Sequence, residues 1–338
     1  MQLFIFIVGL AALILIHEFG HFIAARLLKV EVEEFGIGFP PRLVKLFEHK
    51  GTIFSLNWIP LGGFVRPKGE NDPSIPGGLA AASPWVRLGV LFAGPVMNIL
   101  VGVILAVALF YSIGERVTDK VLVRYVTDGS PSAEAGLQAN DLFVSVNQQP
   151  IASIEILVAI IEENLGKPIE VVVQRGDQII TTQLTPRSDP PEGEGPMGVG
   201  LTNPTRPIGL SNAFSQGLTA SYENVRGILL LPVRVFNGES QPGEARLVGY
   251  KGMFDIFQEL RNPLWFFMAI SFSLGIMNLL PIPALDGGRI LLTFPEIIVR
   301  RRIPPRYENF IHAAGFALLL LLLIYINLQD FLNPIQLP

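Results

Sequence analysis

Apolar residues along the chain gather in long runs that are separated by polar and mixed segments. Each run approaches or exceeds the roughly 20 apolar residues that cross a hydrocarbon core of ~30 Å as a helix. The runs are Gln2 to Ala25, Gly89 to Ile113, Pro263 to Leu285 and Asn309 to Leu328. The pattern therefore predicts a polytopic α-helical membrane protein with about four transmembrane helices.

Residues 115–203, between the second and third runs, show a different pattern of short apolar alternations separated by turn residues. This spacing is typical of a small mixed α/β domain inserted between membrane helices. The predicted elements are strands at Val121 to Val126 and Leu142 to Val146, a helix at Ile154 to Leu165, and a hairpin from Ile169 to Ile180 that turns at Gly176-Asp177.

The pattern divides the chain into successive domains. Residues 1–114 hold the first two spans, residues 115–203 the inserted domain, residues 204–262 a linker and residues 263–338 the last two spans. Within the linker, Leu210 to Phe236 carries apolar residues at helical spacing, which predicts an amphipathic helix. Two interpretations are open: the helix lies on the outer membrane surface, or it packs on the inserted domain.

Composition supports the membrane assignment and limits the chemistry. Half of the 338 residues are apolar and 16% are charged, which is too hydrophobic for a soluble domain. There is no cysteine, so disulfides, thiolate metal sites and cysteine nucleophiles are excluded. A metal bound by this chain must therefore use nitrogen and oxygen ligands.

Basic residues cluster in two connections between the runs. One connection extends from Arg26 to Arg87, and the other extends from Arg289 to Arg306 after the third run. Loops rich in Lys and Arg stay in the cytoplasm, so both connections are predicted to be cytoplasmic. The inserted domain and both termini are then expected outside the cytoplasm, in a multi-pass protein of the inner (plasma) membrane.

A candidate metal site lies inside the first run, in the sequence His17-Glu18-Phe19-Gly20-His21. Histidines at i and i+4 share one face of a helix, where both imidazoles can bind one zinc ion and Glu18 can accept a proton from water. Ionisable residues inside a span are costly and usually functional. The alternative is that these groups only satisfy one another in a helix bundle. His49 and His312 have no such motif and are predicted to lie at the surface and near a span end.

A catalytic zinc site usually takes three protein ligands and leaves one position for water, so a third ligand is required. Asp286 is the candidate, at the end of the third run in the sequence Asn278-Leu-Leu-Pro-Ile-Pro-Ala-Leu-Asp-Gly-Gly288. Pro281 and Pro283 must break that helix, and a membrane tolerates irregular backbone only where protein or a water-filled cavity covers it. The first and third runs cross in the same direction, so His17 and Asp286 are expected at similar depth. The alternative is that Asp286 only caps a helix end.

Within the inserted domain, the sequence from Gly129 to Asn147 resembles a bacterial PDZ domain, in which a small-residue turn and a short helix lead into an apolar strand. The family usually has Gly-Asp where this chain has Asn140-Asp141. The resemblance implies a groove that binds an extended peptide or a chain end by strand addition. The alternative is a spacer that only blocks large substrates.

At its two metal-site motifs the chain resembles the site-2 protease family of intramembrane zinc metalloproteases, close to the bacterial regulator-of-sigma-E type. The matching segments are His17 to His21, Gly94-Pro-Val-Met-Asn98, and Asn278 to Gly288. The resemblance implies one zinc ion held by His17, His21 and Asp286, with water activated by Glu18. It also implies a substrate strand near Asn278, Pro281 and Pro283. Some members of the family carry two PDZ domains, whereas one is found here.

These features predict a metalloendopeptidase that hydrolyses a peptide bond within or near the transmembrane segment of single-span proteins, such as anti-sigma factors or signal-peptide remnants. Its active site is expected toward the cytoplasmic side. The expected partners are those substrates, a peptide or chain terminus at the PDZ-like domain, and the lipid bilayer, without nucleic acid. One rival is a catalytically silent membrane scaffold that presents the PDZ-like domain, and Glu18 beside a complete ligand set argues against it. The other rival is a metal transporter, which would need a relay of sites across the membrane.

A substrate helix must be unwound before cleavage because its carbonyl groups are bonded within the helix. The segment from Gly51 to Val65 is rich in β-branched and aromatic residues, and Pro60 with Gly62-Gly63 supplies a turn. It predicts a membrane-associated β-hairpin near the metal. A strand edge at Ile53 to Ser55 is expected to pair with the unwound substrate, with Phe54, Gly62 and Gly63 as substrate-binding residues. The alternative is a cytoplasmic hairpin that only shields the site.

Overall fold

The computed structural model describes residues 1–239, 246–260, 262–300 and 303–334. The basic residues Arg301 and Arg302 of the second predicted cytoplasmic connection lie outside the described residues. The chain divides into two compact units, one formed by Met1–Leu109 with Phe214–Pro338 and the other by Phe110–Ala213.

The elements follow one another in three groups. The chain begins with two helices that flank a long hairpin: α1 (Gln2–Leu27), β1 (Val32–His49), β2 (Thr52–Pro67) and α2 (Pro84–Ile113). The inserted unit holds β3 (Glu115–Arg116), β4 (Val121–Val126), α3 (Pro131–Glu134), β5 (Leu142–Val146), β6 (Gln149–Pro150), α4 (Ile154–Glu163), β7 (Ile169–Arg175), β8 (Gln178–Leu184), β9 (Val199–Thr202) and β10 (Thr205–Arg206). The last group is helical: α5 (Leu210–Phe236), α6 (Tyr250–Glu259), α7 (Pro263–Leu279), α8 (Asp286–Val299) and α9 (Pro305–Leu332).

Among the described residues, three helices are long and apolar enough to cross a membrane: Gln2–Leu27, Pro84–Ile113 and Arg306–Leu332. They match the first, second and fourth predicted spans. The third predicted span is instead the 17-residue apolar helix α7, followed by a turn and the separate helix α8. α7 ends because Leu280 precedes Pro281 and takes an extended conformation, as residues before proline usually do. Asp286 therefore begins a helix, rather than ending one as expected.

The hairpin of β1 and β2 folds back on itself, so several residues pair with two strand segments at once. Phe35 pairs with both Val65 and Phe54, and Phe54 also pairs with Phe47. The strand segments consequently lie side by side in the order 42–49, 52–57, 34–37 and 63–66.

This register corrects the expectation that Ile53 to Ser55 offers a free strand edge. Ser55 pairs with Gly36 on one side and with Lys45 on the other, so its backbone lies inside the sheet. In the part of the hairpin that is described, the outer edge on the opposite side is formed by Gly63 to Arg66, which pairs with β1 alone. Alternation of residue types does not reveal this arrangement, because it fixes neither where a long strand folds nor which segment it meets.

Aromatic rings attach the hairpin to α1. The ring of Phe22 on α1 lies 5.4 Å from that of Phe35 and 5.7 Å from that of Phe54. Phe54 in turn stacks on Phe47 at 4.5 Å. Such aromatic pairs contribute about 0.5–1.5 kcal/mol each beyond the area they bury. The hairpin is thereby fixed against the helix that carries His17, Glu18 and His21.

Helix α5 matches the predicted amphipathic segment from Leu210 to Phe236. Its residue Gly217 lies against Val107 of α2, where an added Cβ would come within 2.8 Å of the valine side chain. Most of the large apolar side chains along α5 are exposed, Leu210, Phe214 and Leu229 among them. The helix thus packs closely on α2 at Gly217 and leaves an apolar surface uncovered among the described residues.

The inserted unit is built on a sheet with strand order β8-β7-β5-β4-β9, in which β6 pairs with β5. The predicted strands, the helix that begins at Ile154 and the hairpin turn at Gly176-Asp177 are confirmed. The core is formed by inward-facing side chains of the strands and of α4: Val121, Val123, Phe143, Val146, Leu157, Ile169, Val171 and Val173.

A buried carboxylate stabilises the turn that carries Asn140-Asp141. Asn140 has a positive φ of 74°, a conformation that favours glycine and that asparagine tolerates, which explains the glycine of the resembled family. Asp141 is fully buried and accepts hydrogen bonds from the Arg175 guanidinium at 2.7 and 2.8 Å and from the Gln138 backbone N–H at 2.8 Å. Burial raises the pKa of Asp141, but the bonds from Arg175 and Gln138 outweigh it and hold the pKa below its ordinary value.

Asp141→Asn removes the charge from this pair and should lower the free energy of unfolding of the inserted unit by about 1–3 kcal/mol. Because the folded-state pKa of Asp141 is depressed, its contribution is present above the ordinary aspartate pKa of about 3.9 and is lost as the pH falls through the folded value. Hydrogen exchange of the β5 and β7 amides as a function of pH measures both effects. Asp128→Asn, at an exposed position, is the matched control. Equal protection in the two variants would contradict the role of Asp141.

Candidate metal centre

Glycines allow α1 and α2 to approach closely at the candidate ligands. α1 buries His17, Gly20 and His21 on one stripe. A Cβ added at Gly20 would lie 2.4 Å from the carbonyl oxygen of Ala93 on α2. A Cβ added at Gly94 of α2 would lie 2.3 Å from His21 Nε2 and 2.8 Å from His17 Nε2. A larger residue at either glycine would therefore push α2 away from the imidazoles.

The ligand atoms of His17, His21 and Asp286 converge on one point. His17 Nε2 lies 3.1 Å from Asp286 Oδ2, His21 Nε2 lies 3.3 Å from the same oxygen, and the two nitrogens are 3.2 Å apart. Ligands of a tetrahedral zinc ion at about 2.0–2.1 Å are separated by about 3.3 Å, the edge of the tetrahedron. The three side chains therefore already have the spacing that a zinc ion requires, and a fourth position is left for water.

The outer nitrogen of each imidazole lies beside a polar group, in the direction where a zinc-bound histidine needs an acceptor. His21 Nδ1 donates to the carbonyl oxygen of Val90 at 2.8 Å. His17 Nδ1 lies 3.5 Å from the side-chain amide of Asn98, which is fully buried and whose Oδ1 is without a hydrogen-bond partner. Exchanging the amide oxygen and nitrogen, which are alike in shape, places Oδ1 where it accepts the Nδ1 proton. His17 Nε2 is then directed at the metal position, and the donor set of two imidazoles and a carboxylate fits zinc.

Asp286 reaches the histidines from a tight turn between α7 and α8. Inside the turn the backbone N–H of Ile282 donates to the carbonyl of Leu280 at 2.7 Å. A Cβ added at Gly287 would lie 2.1 Å from the Leu280 oxygen, and one at Gly288 would lie 2.4 Å from the Ile282 oxygen. Both glycines are therefore needed for the first turn of α8 to lie directly on the backbone of the broken segment, which fixes the origin of the Asp286 side chain.

Glu18 shares a cavity with these ligands and with the outer edge of the hairpin. The backbone N–H of Val65 donates a hydrogen bond of 3.2 Å to Glu18 Oε2. The cavity has a volume of about 290 Å³, and the ligands, Glu18 and Val65 all line it. Arg289 and Glu70 line it as well and form an ion pair with each other. The arrangement can hold a water molecule or a peptide group between the ligands, the carboxylate of Glu18 and a strand edge.

The residues predicted to bind substrate lie in different places. Gly63 and Asn278 line the cavity, and the Asn278 side chain donates to the carbonyl of Leu274 at 3.0 Å. Gly62 lies against α1, where an added Cβ would come within 2.8 Å of the Ile14 side chain.

Phe54, Pro281 and Pro283 are absent from the cavity lining as far as the residues are described. Phe54 belongs to the aromatic contacts between the hairpin and α1. Pro283 lies against Gly315 of α9. Contact of these three residues with a substrate stays a prediction.

Sequence reasoning assigned no role to several residues of the site. Asn98 gave a usable signal, since it is an amide inside an apolar run. Arg289 and Glu70 are far apart in the sequence, and His312 stands outside any motif. His312 nevertheless accepts a hydrogen bond from the turn that carries Asp286.

Two imidazoles and a carboxylate at tetrahedral spacing, with a glutamate on the same helix and long apolar helices around them, define a zinc metallopeptidase. The model of peptidase family M50 matches residues 5–322, and the chain belongs to this family. The resemblance to the site-2 proteases is thereby confirmed, and the protein is a zinc-dependent peptidase.

Relatives of nearly the same length carry the name "putative zinc metalloprotease". One from Clostridium perfringens is 31% identical over 337 residues, which cover 97% of this chain and 98% of the relative. Another from Helicobacter pylori is 33% identical over 335 residues, which cover 93% of this chain and 94% of the relative. Among solved structures, the PDZ domain of an SdrC-like protein from Listeria monocytogenes is 22% identical, covers 25% of this chain and 88% of that chain, and has a TM-score of 0.23.

Metal analysis of the purified protein should find about one zinc ion per chain, and His17→Ala, His21→Ala or Asp286→Ala should lose it, because each variant leaves two ligands. Asn98→Leu keeps all three ligands but removes the acceptor for His17, so zinc affinity should fall about 10–100-fold. His49→Ala, at an exposed histidine, is the control and should bind zinc normally. Stoichiometric zinc in Asp286→Ala would remove Asp286 from the site.

Proposed function

We propose that this protein hydrolyses a peptide bond within or near the transmembrane segment of single-span membrane proteins. His17, His21 and Asp286 hold one zinc ion, and Glu18 acts as the general base. The observation that carries the proposal is the convergence of the three ligand atoms within 3.1–3.3 Å of one another on apolar helices, in a cavity shared with Glu18 and a strand edge. A metal transporter requires neither a general base nor a strand edge that pairs with a peptide.

The chain's own residues provide binding and proton transfer. Zinc, when bound, supplies a Lewis acid that polarises the peptide carbonyl and lets water act as a nucleophile at neutral pH. Glu18 accepts the proton of the attacking water and passes it to the amine that leaves. The N–H of Val65 orients the Glu18 carboxylate through one oxygen and leaves the other free for this work. Asn278 lines the same cavity, which supports its assignment to the substrate backbone.

The location of the reaction follows from the basic residues around the site. The hairpin that contacts α1 carries Arg42, Lys45 and Arg66, and positively charged loops stay in the cytoplasm. The active site is therefore assigned to the cytoplasmic side of the inner membrane, and the inserted domain to the outside. Substrates of this kind include anti-sigma factors and signal-peptide remnants.

The substrate must present an extended backbone, because a helix keeps its carbonyl groups in internal hydrogen bonds. The edge from Gly63 to Arg66 supports strand addition as the means. The Val65 N–H faces Glu18, on the side of the strand away from β1. Backbone groups two residues apart in a strand face the same side, so those of Gly63 also face away from β1. A substrate strand paired with Gly63 would extend along the cavity past Glu18.

The inserted PDZ-like domain is assigned an extended peptide or a chain terminus as its ligand. An apolar groove of about 260 Å³ supports this, with Leu157, Val158 and Ile161 of α4 on one wall and Met197 and Val199 on the other. β9 ends the strand order of its sheet, which leaves an edge for a further strand beside that groove.

Glu18→Gln should keep zinc, because Glu18 is not a ligand, but should lower cleavage about 100-fold or more, because an amide cannot accept the proton. The measurement compares single-span proteins in membranes from cells that hold the normal or the altered enzyme, together with the zinc content of both. Glu31→Gln, at an exposed acid just before β1, is the control. Near-normal cleavage by Glu18→Gln would contradict the role, and a membrane proteome unchanged by either enzyme would favour the catalytically silent scaffold.

The strand-addition step predicts a difference between two substitutions at one position. Gly63→Pro removes a backbone donor from the outer edge, whereas Gly63→Ala adds the same Cβ beside Leu15 and Gly36 but keeps the donor. Cleavage should fall about tenfold further in the proline variant than in the alanine variant, with zinc retained in both. Helix-breaking residues in the substrate span should raise cleavage by the normal enzyme. Equal cleavage by the two variants would exclude pairing at Gly63.

A further inference from the structure

His312 of α9 is in direct contact with the turn that carries Asp286. The backbone N–H of Ala284 donates a hydrogen bond of 3.0 Å to His312 Nδ1. Ala284 has a φ of 80°, a left-handed conformation that non-glycine residues rarely adopt and that costs about 1–3 kcal/mol. Such a conformation persists only where surrounding contacts hold it. The bond to His312 is a contact of this kind, two residues before the ligand.

Few hydrogen bonds within the turn stabilise its conformation. Pro281 and Pro283 have no N–H, and the N–H groups of Ile282 and Leu285 are used inside the turn, on the carbonyls of Leu280 and Ile282. The Ala284 N–H points out of the turn and needs an acceptor there, because a backbone donor shielded from water without one costs about 1–3 kcal/mol. His312 supplies that acceptor from a distant part of the chain.

A second contact brings α9 to the same place. Gly315 lies almost one helical turn after His312, and a Cβ added there would lie 2.4 Å from Pro283 Cβ and 2.7 Å from the Pro283 oxygen. Most of the large apolar side chains of α9 are exposed, including Phe316, Leu318 and Leu321. His312 and Gly315 therefore form a docking point that joins an otherwise lightly packed helix to the metal-bearing turn.

His312 occupies this position although its other ring nitrogen, Nε2, has no hydrogen-bond partner among the described residues. Accepting through Nδ1 requires a neutral ring with its proton on Nε2, and Nε2 is buried without a hydrogen-bond partner among the described residues. An apolar side chain of similar size would avoid the cost of that buried donor. The hydrogen bond from the Ala284 N–H to Nδ1 offsets the cost of the buried Nε2 donor.

We infer that His312 is a positioning residue for the metal centre: through Nδ1 it fixes the left-handed Ala284 and so sets the Asp286 carboxylate at ligand distance from His17 and His21. It does not touch the reacting atoms. The inference rests on the zinc site of the proposed function and adds a fourth element, α9, to the parts that build it.

The test uses full-length protein and two readouts of the metal. One is the apparent zinc affinity, by competition with a chelator, and the other is the visible spectrum after cobalt replaces zinc, which reports ligand geometry. His312→Leu should weaken zinc binding about 10–100-fold and change the cobalt spectrum, as loss of an outer-sphere support does. Leu318→Ala, at an exposed position of α9, is the control and should leave both unchanged.

Two amide variants separate positioning from a general effect on folding. His312→Asn places an acceptor oxygen near the position of Nδ1 and should retain most of the zinc affinity and the normal cobalt spectrum. His312→Gln places its oxygen near the position of Nε2 and should behave like His312→Leu. Equal behaviour of the Asn and Gln variants, or a normal spectrum in His312→Leu, would overturn the inference.

Asp286→Ala distinguishes an error in the role of His312 from an error in the assignment of the metal ligands. A changed cobalt spectrum in Asp286→Ala together with normal spectra in all His312 variants would overturn only the role of His312. A normal spectrum in Asp286→Ala would overturn the ligand assignment and the inference with it.

Discussion

Three ligand atoms from α1 and α8 lie 3.1–3.3 Å apart inside a bundle of apolar helices, and this convergence constrains the residues around it. Two imidazole nitrogens and a carboxylate oxygen at such spacing are costly to bury unless a cation or shared protons join them. The helices need small residues where they meet, which Gly20 and Gly94 supply. Each ring needs an acceptor on its far side, which the Val90 carbonyl supplies for His21 and the Asn98 amide supplies for His17 once its oxygen is turned toward Nδ1. The contacts of α2 are thus explained by the ligands on α1.

The carboxylate imposes a second requirement, because it comes from irregular backbone. The break at Pro281 and Pro283 ends α7 and lets α8 begin at Asp286 itself. The break removes backbone donors and leaves one strained residue, Ala284, with its N–H directed outward. That N–H needs an acceptor outside the turn, and His312 of α9 supplies it. This is why the last long helix belongs to the site although it supplies no ligand.

Most of what the sequence predicted was local, and the exception is the approach of Asp286 to His17, which followed from the shared direction of two apolar runs. The repeat His17 to His21 reports one helical face, and alternation in residues 115–203 reports strands and their turn, because both depend on neighbouring residues. The sequence did not predict helix α8, because its first residue, Asp286, is charged and was interpreted as the end of an apolar run. The double pairing of Phe35 was missed because strand register depends on where the chain folds back. The amide of Asn98 stands out inside an apolar run, but its contact with His17, like that of His312 with Ala284, arises only through tertiary packing. No spacing in the sequence reports these contacts.

The hairpin is more than a cover for the cavity, because it also determines where Glu18, the proposed base, lies. Glu18 belongs to α1, but its carboxylate is bound by the N–H of Val65, so its position depends on β2 as much as on its own helix. The rings of Phe22, Phe35 and Phe54 fix β2 and its neighbours against α1 and hold Val65 within hydrogen-bond distance of Glu18. In the proposed mechanism a substrate strand would pair with the same edge two residues away. Substrate backbone and base are then held by one strand, so a peptide bond that is correctly paired is also correctly aligned with Glu18, and a helix that has not been unwound meets neither condition.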